Sequence, residues 1–262
     1  MNSHEIDYKI YGEEMQHVEI ELDPQETAIA ESGAFMMMDE GIQMQTIFGD
    51  GSARETGLLG KLMSAGKRIL TGESLFMTAF TNIAQGKKHV HFASPYPGKI
   101  IAMDLSEMGN KLICQKDAFL CAAKGVSVGI QFQRKLGTGI FGGEGFIMQK
   151  LEGDGMAFVH AGGHVFQKNL APGELLKIDT GCIVAYTKDI DFDIQFVGGI
   201  KNTIFGGEGL FFATLRGPGK VWIQSLPISR LASRIMTYAT VKRKEEGSIL
   251  GGLGNLLDGD GV

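Results

Sequence analysis

Three glutamates recur at equivalent places in the chain, each directly after a glycine and before an apolar segment. They are Glu73, Glu144 and Glu208. Carboxylates that converge on one axis repel each other, which favours binding of a divalent cation between them. Alternatively, each carboxylate accepts hydrogen bonds from the amides of its own glycine-rich turn. The pattern predicts these residues as candidate ligand-binding groups, and it favours the turn-fixing role because repetition copies such a role automatically.

A second candidate site consists of polar residues on the second strand segment after each of these glutamates, beyond a polar or glycine-containing turn. Alignment of the copies places His91, His160 and Gln224 at equivalent positions. Two imidazoles and a third polar side chain can supply part of a metal site. Glutamine is a poor zinc ligand, however, and the nearby His89 is matched by aromatic residues in the other copies. The sequence therefore predicts His91 and His160 as candidate metal ligands, with mixed packing as the alternative.

Residues arranged for catalysis are not recognisable. The serines lack a G-x-S-x-G motif, and Cys121 and Cys182 lie in apolar segments where a cysteine usually packs as a small core residue. A literal G-x-G-x-x-G at Gly137, Gly139 and Gly142 leads into a strand pattern, whereas a dinucleotide site needs a helix there. We therefore predict that the protein is not an enzyme and uses no cofactor.

The elements that must position these residues form a repeated pattern of strands. Leu22–Phe35 aligns without a gap on Leu170–Ile183, and Val18, Ile20 and Leu22 alternate with polar residues at a period of two. The repeat is about 64–71 residues long, as the spacing of the three glutamates shows. This length exceeds the roughly 20–50 residues of solenoid units. We predict an all-β fold of three pseudo-threefold-related units of double-stranded β-helix or jelly-roll type. The units cover about 8–98, 99–163 and 164–226, within one compact body over 1–226.

The C-terminal part of the chain breaks the strand pattern. After Pro227, the residues Ile228, Leu231, Ala232 and Ile235 follow the spacing of one helix face. A helix is predicted over 227–243, followed by a flexible glycine-rich tail over 244–262. Leu231 and Ile235 are predicted to cap the core or to contact a protein partner.

Bulk properties narrow the classes of function. The formal net charge of −5 argues against a general nucleic-acid partner, which would need a basic footprint. Three cysteines without C-x-x-C spacing favour a reducing compartment. The N-terminus lacks the features of a signal peptide, and no apolar stretch reaches the ~18–20 residues of a spanning helix. We therefore expect a cytoplasmic protein.

Three further segments carry a resemblance to a known family: Ile140–Gly145, Thr203–Gly209 and Gln224–Pro227. With its doubled G-G-E-G, the chain resembles the altered-inheritance-of-mitochondria family from about residue 8 to 240. The first copy departs from this motif, with Ser74 after Glu73. The resemblance implies a fold similar to the tryptophan RNA-binding attenuation protein. The basic repeats that an RNA-wrapping ring needs are missing from this chain.

The leading hypothesis is a non-enzymatic scaffold or interaction protein that self-associates and binds an unknown protein partner. Peripheral membrane contact is a variant of it, resting on the apolar tail and on the insertion around Leu58–Met63. The alternative is a small-molecule or metal-binding module that uses the repeated glutamate and histidine positions.

Overall fold

The computed structural model describes residues 3–48, 76–134, 146–196 and 211–239. Within these ranges lie nineteen β-strands, three short 3₁₀ turns and one helix, which confirms the all-β prediction. The turns cover Ser106–Met108, Lys116–Ala118 and Thr180–Cys182. Helix α1 covers 228–239. The predicted tail over 244–262, the end of the predicted helix and the insertion around Leu58–Met63 lie outside the described residues.

Strand β1 (Asp7–Tyr11) comes first, and the remaining strands form three sets of six. The first set comprises β2 (His17–Leu22), β3 (Thr27–Glu31), β4 (Phe35–Met38), β5 (Ile42–Phe48), β6 (Phe76–Asn82) and β7 (Lys88–Ala93). The second comprises β8 (Gly98–Asp104), β9 (Lys111–Gln115), β10 (Phe119–Ala123), β11 (Ser127–Arg134), β12 (Phe146–Glu152) and β13 (Met156–Gly162). The third comprises β14 (Val165–Leu170), β15 (Leu175–Asp179), β16 (Ile183–Thr187), β17 (Asp191–Phe196), β18 (Phe211–Arg216) and β19 (Gly219–Gln224).

The same antiparallel pairing occurs in every set. The sixth strand lies between the first and the third, and the fifth lies between the second and the fourth. Consecutive sets are joined because the second strand of one set pairs with the third strand of the next. This connection produces two six-stranded sheets, with the orders β5-β6-β3-β10-β13-β8 and β11-β12-β9-β16-β19-β14. The half-sets at the two ends remain as β1-β2-β7-β4 and β15-β18-β17.

Burial follows from the position of each strand. In β2, which has one face against the core, Val18, Ile20 and Leu22 are fully buried while the residues between them are partly exposed. In β10, which lies at a junction between sets, all five residues are buried. Its sequence is accordingly apolar on both faces. The core is therefore continuous across the junctions.

Helix α1 is not long and apolar enough to cross a membrane, and the described residues contain no other helix that is.

Candidate interaction site at two open strand edges

The candidate ligand-binding glutamates Glu73, Glu144 and Glu208 lie outside the described residues. Two other repeated glutamates fix a turn in the way the sequence suggested for those three. The Glu26 carboxylate accepts a hydrogen bond from the Asp23 amide at 2.8 Å, and the Glu174 carboxylate accepts one from the Ala171 amide at 2.9 Å. Repetition of a glutamate in this chain therefore accompanies a structural role at these two turns.

The predicted equivalence of His91 and His160 is wrong. The sixth strands can be aligned through the third strands with which they pair. Met37 and Cys121 are each the third residue of such a third strand. Met37 pairs with His91, whereas Cys121 pairs with Phe158. His91 therefore matches Phe158, and His160 lies two positions further along. The sequence alignment missed this offset because the hairpin loops before the sixth strands, 83–87 and 153–155, differ in length.

The two histidines also lie in different sheets and have separate surroundings. His91 Nε2 is 3.4 Å from Glu19 Oε2, while its buried Nδ1 has no hydrogen-bond partner. Burial lowers the pKa of His91, although Glu19 acts in the opposite direction. Within the described ranges, no group of three His, Cys, Asp or Glu side chains is arranged to hold a metal ion.

His160 is the more deeply buried of the two, with 1% of its surface exposed. Neither ring nitrogen makes a hydrogen bond of normal geometry, and the Tyr96 ring lies edge-on with 4.3 Å between ring centroids. Burial lowers the pKa of His160 to about 4, so that the ring is neutral at physiological pH. The surroundings of His160 are those of a packed aromatic side chain.

A histidine outside the predicted set, His89 on β7, contacts two carboxylates. His89 Nδ1 is 3.0 Å from Asp39 Oδ2, and His89 Nε2 is 3.3 Å from Glu21 Oε2. Asp39 Oδ2 also accepts a hydrogen bond from the His89 amide at 2.8 Å. The hydrogen bond to Asp39 is the main cause that raises the pKa of His89. From β7, His89 thereby contacts Glu21 on β2 and Asp39 directly after β4, a relation between strands that local sequence does not reveal.

We expect the Asp39→Asn variant to lower the pKa of His89 relative to the unchanged protein, because the substitution removes the nearest negative charge. An NMR titration that follows the His89 ring nitrogens measures this pKa directly. The Glu40→Gln variant, which neutralises the adjacent carboxylate, is the matched control and should leave the His89 pKa nearly unchanged. An unaltered pKa in Asp39→Asn would contradict the assignment.

The first open edge is formed by β4, whose four residues are apolar and exposed. Phe35, Met36, Met37 and Met38 each keep 39–48% of their surface exposed. The corresponding residues of β10, at a junction between sets, are at most 4% exposed. An apolar strand edge without charge or proline pairs readily with another strand. Among the described strands β4 pairs only with β7, so no described strand covers it as β3 covers β10.

The second open edge is formed by β15, the second strand of the last set. Leu175 is 47% exposed, whereas Thr27, the first residue of the equivalent strand β3, is 2% exposed. Lys177, in the middle of β15, is exposed as well. Among the described strands, β15 pairs only with β18. No strand in the described ranges therefore covers β15 as β16 covers β9.

Both internal junctions use the same register. At the first junction, Ala28 pairs with Ala123. The second residue of β3 therefore lies opposite the fifth residue of β10. At the second junction, Leu112 pairs with Thr187. These are again the second residue of one strand, β9, and the fifth residue of the other, β16. The described strands thus leave open, at β4 and β15, the two complementary halves of a junction that the chain forms twice internally.

Comparison with known proteins adds relatives of similar length. The chain is 31% identical over 225 residues to an uncharacterized protein of Streptococcus pyogenes serotype M6, covering 84% of this chain and 86% of that protein. It is also similar to a crystal structure of a Streptococcus pyogenes protein, with a TM-score of 0.69, 25% identity and coverage of 89% of this chain and 99% of the other. A family model described as mitochondrial biogenesis AIM24 matches residues 8–226. The chain therefore belongs to the AIM24 family.

Proposed function

We propose that the protein is a non-enzymatic scaffold whose copies assemble head to tail through their open strand edges. In this assembly, β15 of one copy pairs antiparallel with β4 of the next. The observation that carries the proposal is the identical register of the two internal junctions, β3 with β10 and β9 with β16. The open edges of one copy are the same two strand positions, so a second copy supplies to each edge the strand it lacks.

The internal register specifies the expected contact residue by residue. Leu176 should lie opposite Asp39, Lys177 opposite Met38, and Ile178 opposite Met37. Such an interface joins two different surfaces of identical chains. Interfaces of this heterologous kind generate closed rings or open filaments.

Burial of apolar surface supports the contact energetically. Four half-exposed side chains on β4 and Leu175 on β15 would be removed from water. Each would contribute on the order of 1 kcal/mol to the free energy of association. The strand pairing would also satisfy backbone groups that water now solvates. Within one chain, β4 and β15 belong to separate sheets and do not pair with each other. The occupant that fits both edges is therefore a second copy of the chain.

The direction of the backbone groups on β15 permits a selective test. In β3, the Thr27 carbonyl accepts a hydrogen bond at 2.9 Å from the backbone amide of Lys124, the residue directly after β10. Alternate residues of a strand direct their N–H and C=O groups to the same side. The equivalent of Thr27 is Leu175, so Lys177 should direct its N–H to the open edge and away from β18.

We expect wild-type protein to form multiples of the 28.3 kDa chain and the Lys177→Pro variant to be monomeric. Proline removes the N–H needed at the joint but none needed within the chain. Native mass spectrometry and sedimentation velocity measure the mass. Lys177→Thr, which keeps the N–H and a side chain suited to a strand, is the matched control and should still assemble. A monomeric wild-type protein, or an unchanged mass for Lys177→Pro, would disprove the proposal.

A further inference from the structure

Three consecutive methionines occupy the open edge of β4. Met36, Met37 and Met38 keep 48%, 47% and 39% of their surface exposed. Methionines inside the core differ sharply from them, since Met77 and Met103 are at most 2% exposed. Strand β4 therefore presents three thioether side chains to solvent at the place where the proposed joint between copies forms.

Methionine at these positions is specific to β4. The pairing of third and sixth strands makes residues 120–122 of β10 and 184–186 of β16 equivalent to residues 36–38. Neither of the two internal segments contains methionine, and each of their residues is at most 3% exposed. Of the three third strands, β4 alone combines oxidisable side chains with an edge that no described strand covers.

An exposed thioether reacts with hydrogen peroxide. A lone pair of the sulfur attacks one peroxide oxygen, so that an S–O bond forms and the O–O bond breaks. The leaving hydroxide takes up the proton of the transferred oxygen and departs as water. The sulfur is oxidised by two electrons while the peroxide is reduced, and the apolar side chain becomes a polar sulfoxide. Methionine sulfoxide reductases, one for each sulfoxide epimer, reverse this change.

We propose that Met36, Met37 and Met38 form a site of reversible oxidation that opens the joint between copies. The inference rests on the proposed assembly, in which Met37 lies opposite Ile178 of the next copy. Cys121, the equivalent of Met37, is fully buried at its junction, so a sulfoxide on Met37 would lose its hydration when the joint forms. Each buried sulfoxide should raise the Kd of the joint roughly tenfold.

Assembly and oxidation should also compete with each other. In an assembled copy, β15 of the neighbouring copy covers β4 and restricts the access of peroxide to it. In the monomeric Lys177→Pro variant, every β4 edge stays open. Oxidation of residues 36–38 should therefore be several-fold faster in Lys177→Pro than in assembled wild type, because the susceptibility of methionine follows its exposure. Met44 on β5 should react at the same rate in both proteins.

Digestion at glutamate after timed peroxide treatment measures these rates. Cleavage after Glu31, Glu40 and Glu55 places the three methionines of β4 in peptide 32–40 and Met44 in peptide 41–55. Each sulfoxide adds one oxygen atom to the mass of its peptide. Equal oxidation rates of peptide 32–40 in assembled wild type and in Lys177→Pro would overturn the inference.

Native mass spectrometry of the peroxide-treated, full-length protein tests the effect on the joint. Wild-type protein should separate into single chains, and treatment with both reductases should restore its assembly. A combined Met36→Leu, Met37→Leu and Met38→Leu variant should stay assembled in peroxide, because leucine replaces methionine with little change of volume and has no sulfur. Met15→Leu with Met44→Leu removes exposed methionines outside β4; this matched control should separate like wild type.

Three results would overturn the inference: assembly that survives full oxidation of peptide 32–40, separation of the leucine variant at the same peroxide dose, or no recovery after reduction. If untreated wild-type protein is monomeric, the proposed assembly fails and this inference fails with it. If untreated wild-type protein assembles and its fully oxidised form stays assembled, this inference alone fails and the proposed assembly stands.

Discussion

Met37→Glu and Lys177→Pro proteins, each monomeric alone, are expected to form a one-to-one dimer when mixed and nothing larger. Met37→Glu damages the β4 edge and leaves β15 intact, while Lys177→Pro damages β15 and leaves β4 intact. Only one productive contact is therefore available in the mixture, between β15 of the first variant and β4 of the second. A carboxylate at Met37 should block the joint, because its equivalent Cys121 is fully buried at the internal junction.

Isotope labelling of one variant allows native mass spectrometry to identify the mixed dimer. Met44→Glu is the matched control, since Met44 is another exposed methionine, 54% accessible, on β5. That variant should assemble like wild type. Circular dichroism reports whether each variant keeps its strands. Assembly of Met37→Glu on its own, or a mixture that remains monomeric, would show that these edges do not pair.

The second large effect concerns acid stability and His160. The unfolded protein binds a proton at this residue near pH 6.5, whereas the folded protein does so only near its pKa of about 4. Between these values the unfolded state holds more protons, so the free energy of unfolding decreases as the pH falls from 6.5 to 4. At about 1.4 kcal/mol for each tenfold change in proton affinity, this loss amounts to roughly 3 kcal/mol.

His160→Gln should remove most of this pH dependence, since glutamine does not titrate and already occupies the equivalent place in the third set as Gln224. Urea unfolding at pH 7 and pH 4 measures the difference, and other titrating groups cancel when wild type and variant are compared. The exposed His164 provides the control variant His164→Gln, which should follow wild type. The same pH dependence in His160→Gln and wild type would refute the explanation.

Local sequence was sufficient to predict the all-β class and the start of the helix. The alternation of Val18, Ile20 and Leu22 reports directly which face of β2 is buried, and Pro227 marks where strand spacing changes to helix spacing. The offset between His91 and His160 was beyond the reach of such patterns. It depends on which residue of the neighbouring strand lies opposite each histidine, and that is fixed by loop lengths and by partners distant in sequence.

The open edges could not be predicted for a related reason. The residues of β4 are as apolar as those of the fully buried strand β10, because both are third strands of a set. What distinguishes them is that β3 pairs with β10, whereas no described strand pairs with β4 in the same way. Apolar character indicates that a strand is suited to burial, but it does not indicate which molecule supplies the cover.

The recurrence of one junction inside the chain also has a consequence for curvature. If every junction turns the path of the sheets by the same angle, that angle sets how many strand sets complete a circle. Each copy contributes three sets, so a circle can close without a gap only when that number is divisible by three. A small change in the packing at β3 and β10 would therefore alter the circumference in steps of whole chains, or convert a ring into a spiral.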